Sequence, residues 1–209
     1  MTQPIPDVDT LLALAVRHIN AAQPDQARIL CDMAVSLHPP NAAVQQILAM
    51  LGLQRGALDE AAEHAARSLK LRPDHVATLL VLADATQLSG ATRAALDALE
   101  RVVALAPTHE EAWFQLALLR QDQHDLGGSV DALHQLLRLA PERLEAHFNL
   151  GVVLQNSGQL DAALRAYAQA YRLREDTFGR IAHALAAPSV GRLWLTLDQL
   201  RAELRAAVP

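Results

Sequence analysis

Cysteine occurs once in this chain, at Cys31, which rules out an intramolecular disulfide framework and is compatible with a reducing compartment. Aromatic residues are almost as scarce: they make up 3% of a chain that is 51% hydrophobic, with Ala and Leu supplying most of the rest. A sheet needs β-branched and aromatic side chains to cover its faces, whereas small residues let helices approach closely, so the composition points to an all-helical fold. Positive charge is short as well. The formal net charge is −5 and no basic stretch stands out, which argues against a nucleic-acid partner. No run approaches the roughly 18 apolar residues that a membrane span requires. The N-terminus, MTQPIPDVDT, lacks the basic-then-apolar pattern of a secretory leader, and a cytoplasmic location is expected.

The chemistry-bearing patterns are missing too. No phosphate-cradling glycine loop, nucleophile elbow or paired-carboxylate constellation is present, so neither catalysis nor a cofactor is expected. The stretch THEEAW comes near to the zinc-protease pattern, but Trp113 stands where the second histidine must be. Asp122, His124 and Asp125 cluster in what reads as a solvated turn, and His38, His75 and His109 read as loop residues, so no metal is expected. Cys31 shares a core-facing column with Leu99, Leu133 and Tyr167 and reads as a small buried hydrophobe.

What the chain does have is a period. Pro39, Pro73, Pro107 and Pro141 are each 34 residues apart, and the next position in the frame is Glu175. One leucine column runs through Leu37, Leu71, Leu105, Leu139 and Leu173, a second through Leu14, Leu48, Leu82, Leu116 and Leu150. Small residues follow the second column at Ala15, Ala49, Ala83, Ala117 and Gly151, and fill another at Ala27, Ala61, Ala95, Ser129 and Ala163. Within each copy, apolar residues recur at helical spacing on both sides of a turn centred on Gly56, Gly90 or Gly158. Each copy is therefore a pair of helices: glycine turns the chain between them and proline stops the second. The small columns are expected where paired helices cross, and both leucine columns between successive pairs. Thr108 and Glu111 have the spacing of a capping box.

A 34-residue helix–turn–helix with Leu followed by Gly or Ala, a central small residue and a closing Pro resembles the tetratricopeptide repeat. The resemblance covers five copies, at about 8–41, 42–75, 76–109, 110–143 and 144–177, after a leader at 1–7 and before a capping region at 176–209. The family's early aromatic is present as Trp113, with His147 in its place one repeat later. Ala22 and His124 replace the turn glycine, and Val102 and Leu136 occupy a usually small position. The resemblance implies a right-handed α–α superhelix, a solenoid of antiparallel helix pairs whose first helices line a concave groove. It also implies a scaffold or adaptor that binds a peptide or helix of a partner protein there. The pentatricopeptide repeat, which binds RNA, has a 35-residue period and a basic inner surface; neither is found.

On that face the first repeats place Leu12 and Val16, then Met50 and Leu53, then Leu80, Asp84 and Gln87. The fourth places Glu111, Phe114, Leu118, Gln121 and Asp122, and the fifth Glu145, Phe148, Val152, Gln155 and Asn156. A merely solvated face would not be so apolar. Phe114 and Phe148 are equivalent and read as anchors, with the Gln87, Gln121 and Gln155 column offering amides to a ligand backbone. Some family members clamp an acidic terminus with Lys, Asn and Arg; here Asn149 alone resembles a clamp residue. An apolar or amphipathic partner with some positive charge is expected instead. Beyond the repeats, Thr196 and Gln199 have capping-box spacing ahead of a last helix. Trp194, Leu197, Leu200 and Leu204 read as the underside of a cap or as a homodimer contact. The alternatives to an adaptor are a repeat region serving a separate glycosyl- or sulfotransferase-type module, and a self-associating array.

Overall fold

The computed structural model describes residues 6–186 and 196–207. Trp194 and most of the expected leader lie outside the described residues. Within them there is no strand, and the chain forms two compact units, residues 1–107 and 108–209.

The first unit holds three helix pairs: α1 (Val8–Asn20) with α2 (Pro24–Leu37), α3 (Ala42–Gln54) with α4 (Leu58–Leu71), and α5 (Val76–Leu88) with α6 (Thr92–Leu105). The second holds α7 (Glu110–Asp122) with α8 (Leu126–Leu139), and α9 (Leu144–Asn156) with α10 (Leu160–Leu173). It ends in a 3-10 turn (Glu175–Thr177), α11 (Phe178–Leu185) and α12 (Leu197–Ala206).

Every turn inside a pair is built alike. Gly56, Gly90 and Gly158 have φ of +73°, +82° and +79°, and the N–H of the next residue reaches back to close the first helix. Those closing bonds run from Ala57 to Gly52, Ala91 to Thr86 and Gln159 to Leu154, each at 2.8–2.9 Å. Ala22 and His124 hold the same left-handed conformation, at φ of +55° and +59°, despite their side chains. Gln23 to His18 and Asp125 to Arg120 make the matching bonds. Turn geometry thus follows the repeat even where the residue does not suit it.

At the helix starts, Asp7 accepts from the Thr10 N–H at 2.7 Å, and Asn41 from Ala43 and Val44. The cap of α7 is His109, whose Nδ1 accepts from the Ala112 N–H at 3.1 Å, rather than the expected Thr108. The α12 start matches expectation, with Thr196 and Gln199 forming a reciprocal capping box.

The small columns are buried throughout: Ala15, Ala27, Ala49, Ala61, Ala95, Ala117, Ser129, Gly151 and Ala163. Cys31, Leu99, Leu133 and Tyr167 are buried together with them. The two leucine columns part company. Leu48, Leu116 and Leu150 are core, whereas Leu37, Leu71, Leu105 and Leu139 are exposed, because each is the last residue of its helix and points past the packed face. In the tail, Ile181, Leu185, Leu200 and Leu204 are buried as α12 packs on α10 and α11, while Leu197 is 62% exposed. Leu197 therefore does not belong to the underside.

Candidate interaction face of the first helices

In the first unit this face is apolar but modest. Leu12 is half-buried against the core of the first pair, and Leu53, Leu80 and Asp84 are half-buried. Val16 and Met50 are the exposed apolar positions, and Gln87 is exposed.

The second unit has more to offer. Phe114 and Phe148, on α7 and α9, are both half-buried, and each carries a guanidinium on its ring. Arg143 lies 4.5 Å from the Phe114 centroid and Arg180 lies 4.3 Å from that of Phe148. Arg143 is fixed from its other side by Glu111, at 2.8 Å. Phe148 is held from below by the buried Tyr167 ring, centroid to centroid 5.7 Å. Leu118 and Val152 continue the face as half-buried apolar residues, while Glu145 is exposed. At its far end Gln121, Asp122 and Asn156 line a cavity of about 490 Å³ with His124 and Leu126. Gln121 Oε1 is shielded from solvent and has no hydrogen-bond partner among the described residues.

Two expectations need correction here. Gln155 is not available to a ligand: it is buried, donating from Nε2 to the Ala184 carbonyl at 2.8 Å and accepting at Oε1 from the Tyr167 hydroxyl at 3.0 Å. The glutamine column thus changes role at its last member, because there α11 covers it and Tyr167 demands an acceptor. Second, the face is not merely apolar and acidic. Arg143 and Arg180 were not singled out by the sequence pattern, since they come from the cap of α9 and from α11, outside the first-helix register. The signal that could have found them is an arginine at or near the start of the second helix after each phenylalanine, Arg143 at α9 and Arg180 on α11.

Cys31 lies in the core, and burial pushes its thiol up to about 11. Burial likewise raises the Tyr167 hydroxyl, which acts as a structural donor. His38, His75 and His109 are each engaged locally, with the Pro6 carbonyl, the Thr78 hydroxyl and the Ala112 N–H respectively. Among the described residues, no three His, Cys, Asp or Glu side chains are gathered to hold a metal ion. No helix among them is long and apolar enough to cross a membrane.

Residues 114–179 match the family model of the tetratricopeptide repeat. No curated protein matches the sequence. Solved structures do match in fold. A crystal structure of MamA superposes with a TM-score of 0.75 at 18% identity, covering 81% of this chain and 93% of that one. A MamA structure from Desulfovibrio magneticus RS-1 gives 0.72 at 20% identity, over 83% and 98%. YrrB, described as a TPR protein with an unusual peptide-binding site, gives 0.78 at 18% identity, over 85% and 91%. With the 34-residue period and the shared turn geometry in agreement, this chain has the all-α solenoid fold of tetratricopeptide-repeat proteins, and its residues 114–179 match the repeat family itself.

Proposed function

We propose that the chain is a non-catalytic scaffold that takes a peptide or helix of a partner protein on the first-helix face of its second unit. The observation carrying this reading is the pair of equivalent phenylalanines, Phe114 and Phe148, each half-buried and each stacked by an arginine. Aromatic and arginine side chains held rigid in this way lose little entropy on binding, which is why they serve as anchors. The YrrB structure, described as having a peptide-binding site, belongs to the same fold and supports the reading.

The chemistry favours an amphipathic segment. Leu118, Val152 and the flanks of the two rings would take its apolar side chains. Asp122 and Glu145 would favour positive charge on it, whereas Arg143 is already neutralised by Glu111. Peptides selected on the intact chain from a display library supply the ligands for a test. Phe114→Ala or Arg180→Ala should weaken those that use this face by about tenfold or more, with helical circular dichroism unchanged. Phe148 is better left alone because it packs on Tyr167. Ligands indifferent to both variants would refute the assignment.

A further inference from the structure

The first unit contains two inter-repeat junctions, and the period allows them to be compared residue by residue. At the second junction Arg101 donates to the Pro73 carbonyl and pairs with Asp74 at 3.6 Å, clasping the end of α6 to the loop before α5. Leu69 is 8% exposed there, and Leu79 is fully buried. At the first junction, 34 residues earlier, the clasp is not made. Pro40 stands where Asp74 stands and offers no carboxylate. Arg67, the equivalent of Arg101, turns back along its own helix to Glu63 at 3.0 Å. Val35, the equivalent of Leu69, is 47% exposed. The result is an open slot of about 440 Å³ between the ends of α2 and α4, with the start of α3 as its floor.

The slot is walled mainly by Val35, Pro39, Val44 and Leu71, with Arg67 and Lys70 on its rim. Its other polar groups are already engaged, His38 with the Pro6 carbonyl and Gln45 with His64. Lys70 is the single lysine of the sequence, and it has no ion-pair partner among the described residues. With Arg67 balanced by Glu63, the rim carries one uncompensated positive charge over an apolar floor.

We propose that this slot is a second binding site, which takes an acidic peptide segment whose bulky apolar side chain enters the cavity while a neighbouring carboxylate meets Lys70. The cavity falls in the size range of ligand pockets, and apolar walls with one well-placed charge are the usual composition of such sites. The charge on the rim selects an acidic segment over a basic one.

The test uses the intact chain and a random-peptide display library, with counterselection on Pro40→Asp, which restores to this junction the carboxylate that Asp74 supplies at the next. The expected binders carry an Asp or Glu within about two positions of a Leu, Ile or Phe, a spacing that lets one segment reach both floor and rim. A carbodiimide should couple them to Lys70, located by peptide mapping. Lys70→Glu should weaken them about tenfold or more, while Phe114→Ala and Arg180→Ala leave them unchanged, separating this site from the one proposed above. Val35→Trp, which fills the slot, provides an independent block should Pro40→Asp fail to close it. Recovery of only basic sequences, coupling confined to the N-terminal amine, or binding indifferent to both Lys70→Glu and Val35→Trp would overturn the proposal. So would a concentration-dependent rise in mass that Lys70→Glu abolishes, since the occupant would then be a second copy of the chain.

Discussion

Gly151 and the ring of Tyr167 are packed so closely that a Cβ on the glycine would fall 2.5 Å from two ring carbons. The ring cannot yield, because it is fully buried, packed at a tilt against Phe148 and tied through its hydroxyl to Gln155. Gly151→Ala should therefore destabilise the protein by about 1–3 kcal/mol, even though alanine is the better helix former by about 1 kcal/mol. Urea denaturation checks this. Because the other members of the column are already alanine, the cost should vanish when Tyr167 is reduced to Leu, the residue at the equivalent Leu99 and Leu133 positions.

That pair also marks how far the sequence could be read. The period showed that residue 151 would be small and residue 167 would face inward, because both lie in columns set by helical spacing. It could not show that the hydroxyl of Tyr167 would recruit Gln155 away from the binding face, since that depends on α11 closing over it outside the 34-residue frame. The same reason hid Arg143 and Arg180. Repeat positions report the elements that stack, and side chains arriving from caps and terminal helices are invisible to the period. The exposed end of the Leu37 column failed for a simpler reason: a column identifies a shared environment and does not say whether that environment is inside.

The left-handed turns offer a second prediction. Ala22 holds φ of +55°, a conformation that costs a residue with a Cβ about 1–2 kcal/mol and glycine almost nothing. Ala22→Gly should stabilise the protein by about 0.5–1 kcal/mol, the strain relieved being partly offset by the freer unfolded chain. Gly56→Ala should do the reverse. No atom lies within 4 Å of a Cβ built there, so its cost would be purely that of the backbone. Thermal melts of the two variants should move in opposite directions.

A pH dependence follows from Glu60 and His64 on α4. The Arg28 guanidinium holds the Glu60 carboxyl below its ordinary range, and burial pushes the His64 imidazole below its own. Both folded-state values lie under the unfolded ones, so both contributions are fully present above the unfolded values and are lost as the pH falls. His64 acts first, from about 6.5 downward, because folding prefers it neutral beside Gln45. Glu60 follows, from about 4.5 downward. Denaturation midpoints between about pH 7.5 and pH 5 should decline in the native protein and decline less in His64→Gln.

The tail separates a cap from a dimer contact. Leu204 is fully buried and Leu200 nearly so, where α12 packs on α10 and α11, while Leu197 is 62% exposed on the same helix. If α12 closes the end of the repeat stack, Leu204→Ala opens a cavity and should cost about 2–5 kcal/mol, whereas Leu197→Ala should stay within about 0.5 kcal/mol of the native protein. A dimer built through this helix would give the opposite ranking in a different measurement. Leu197, being the apolar residue left outside, would then carry the association, and Leu197→Glu would lower the mass seen by light scattering. The burial pattern predicts that mass is unchanged by Leu197→Glu and that stability is lost with Leu204→Ala, because the stripe that looked continuous by spacing is divided between a packed side and a wet one.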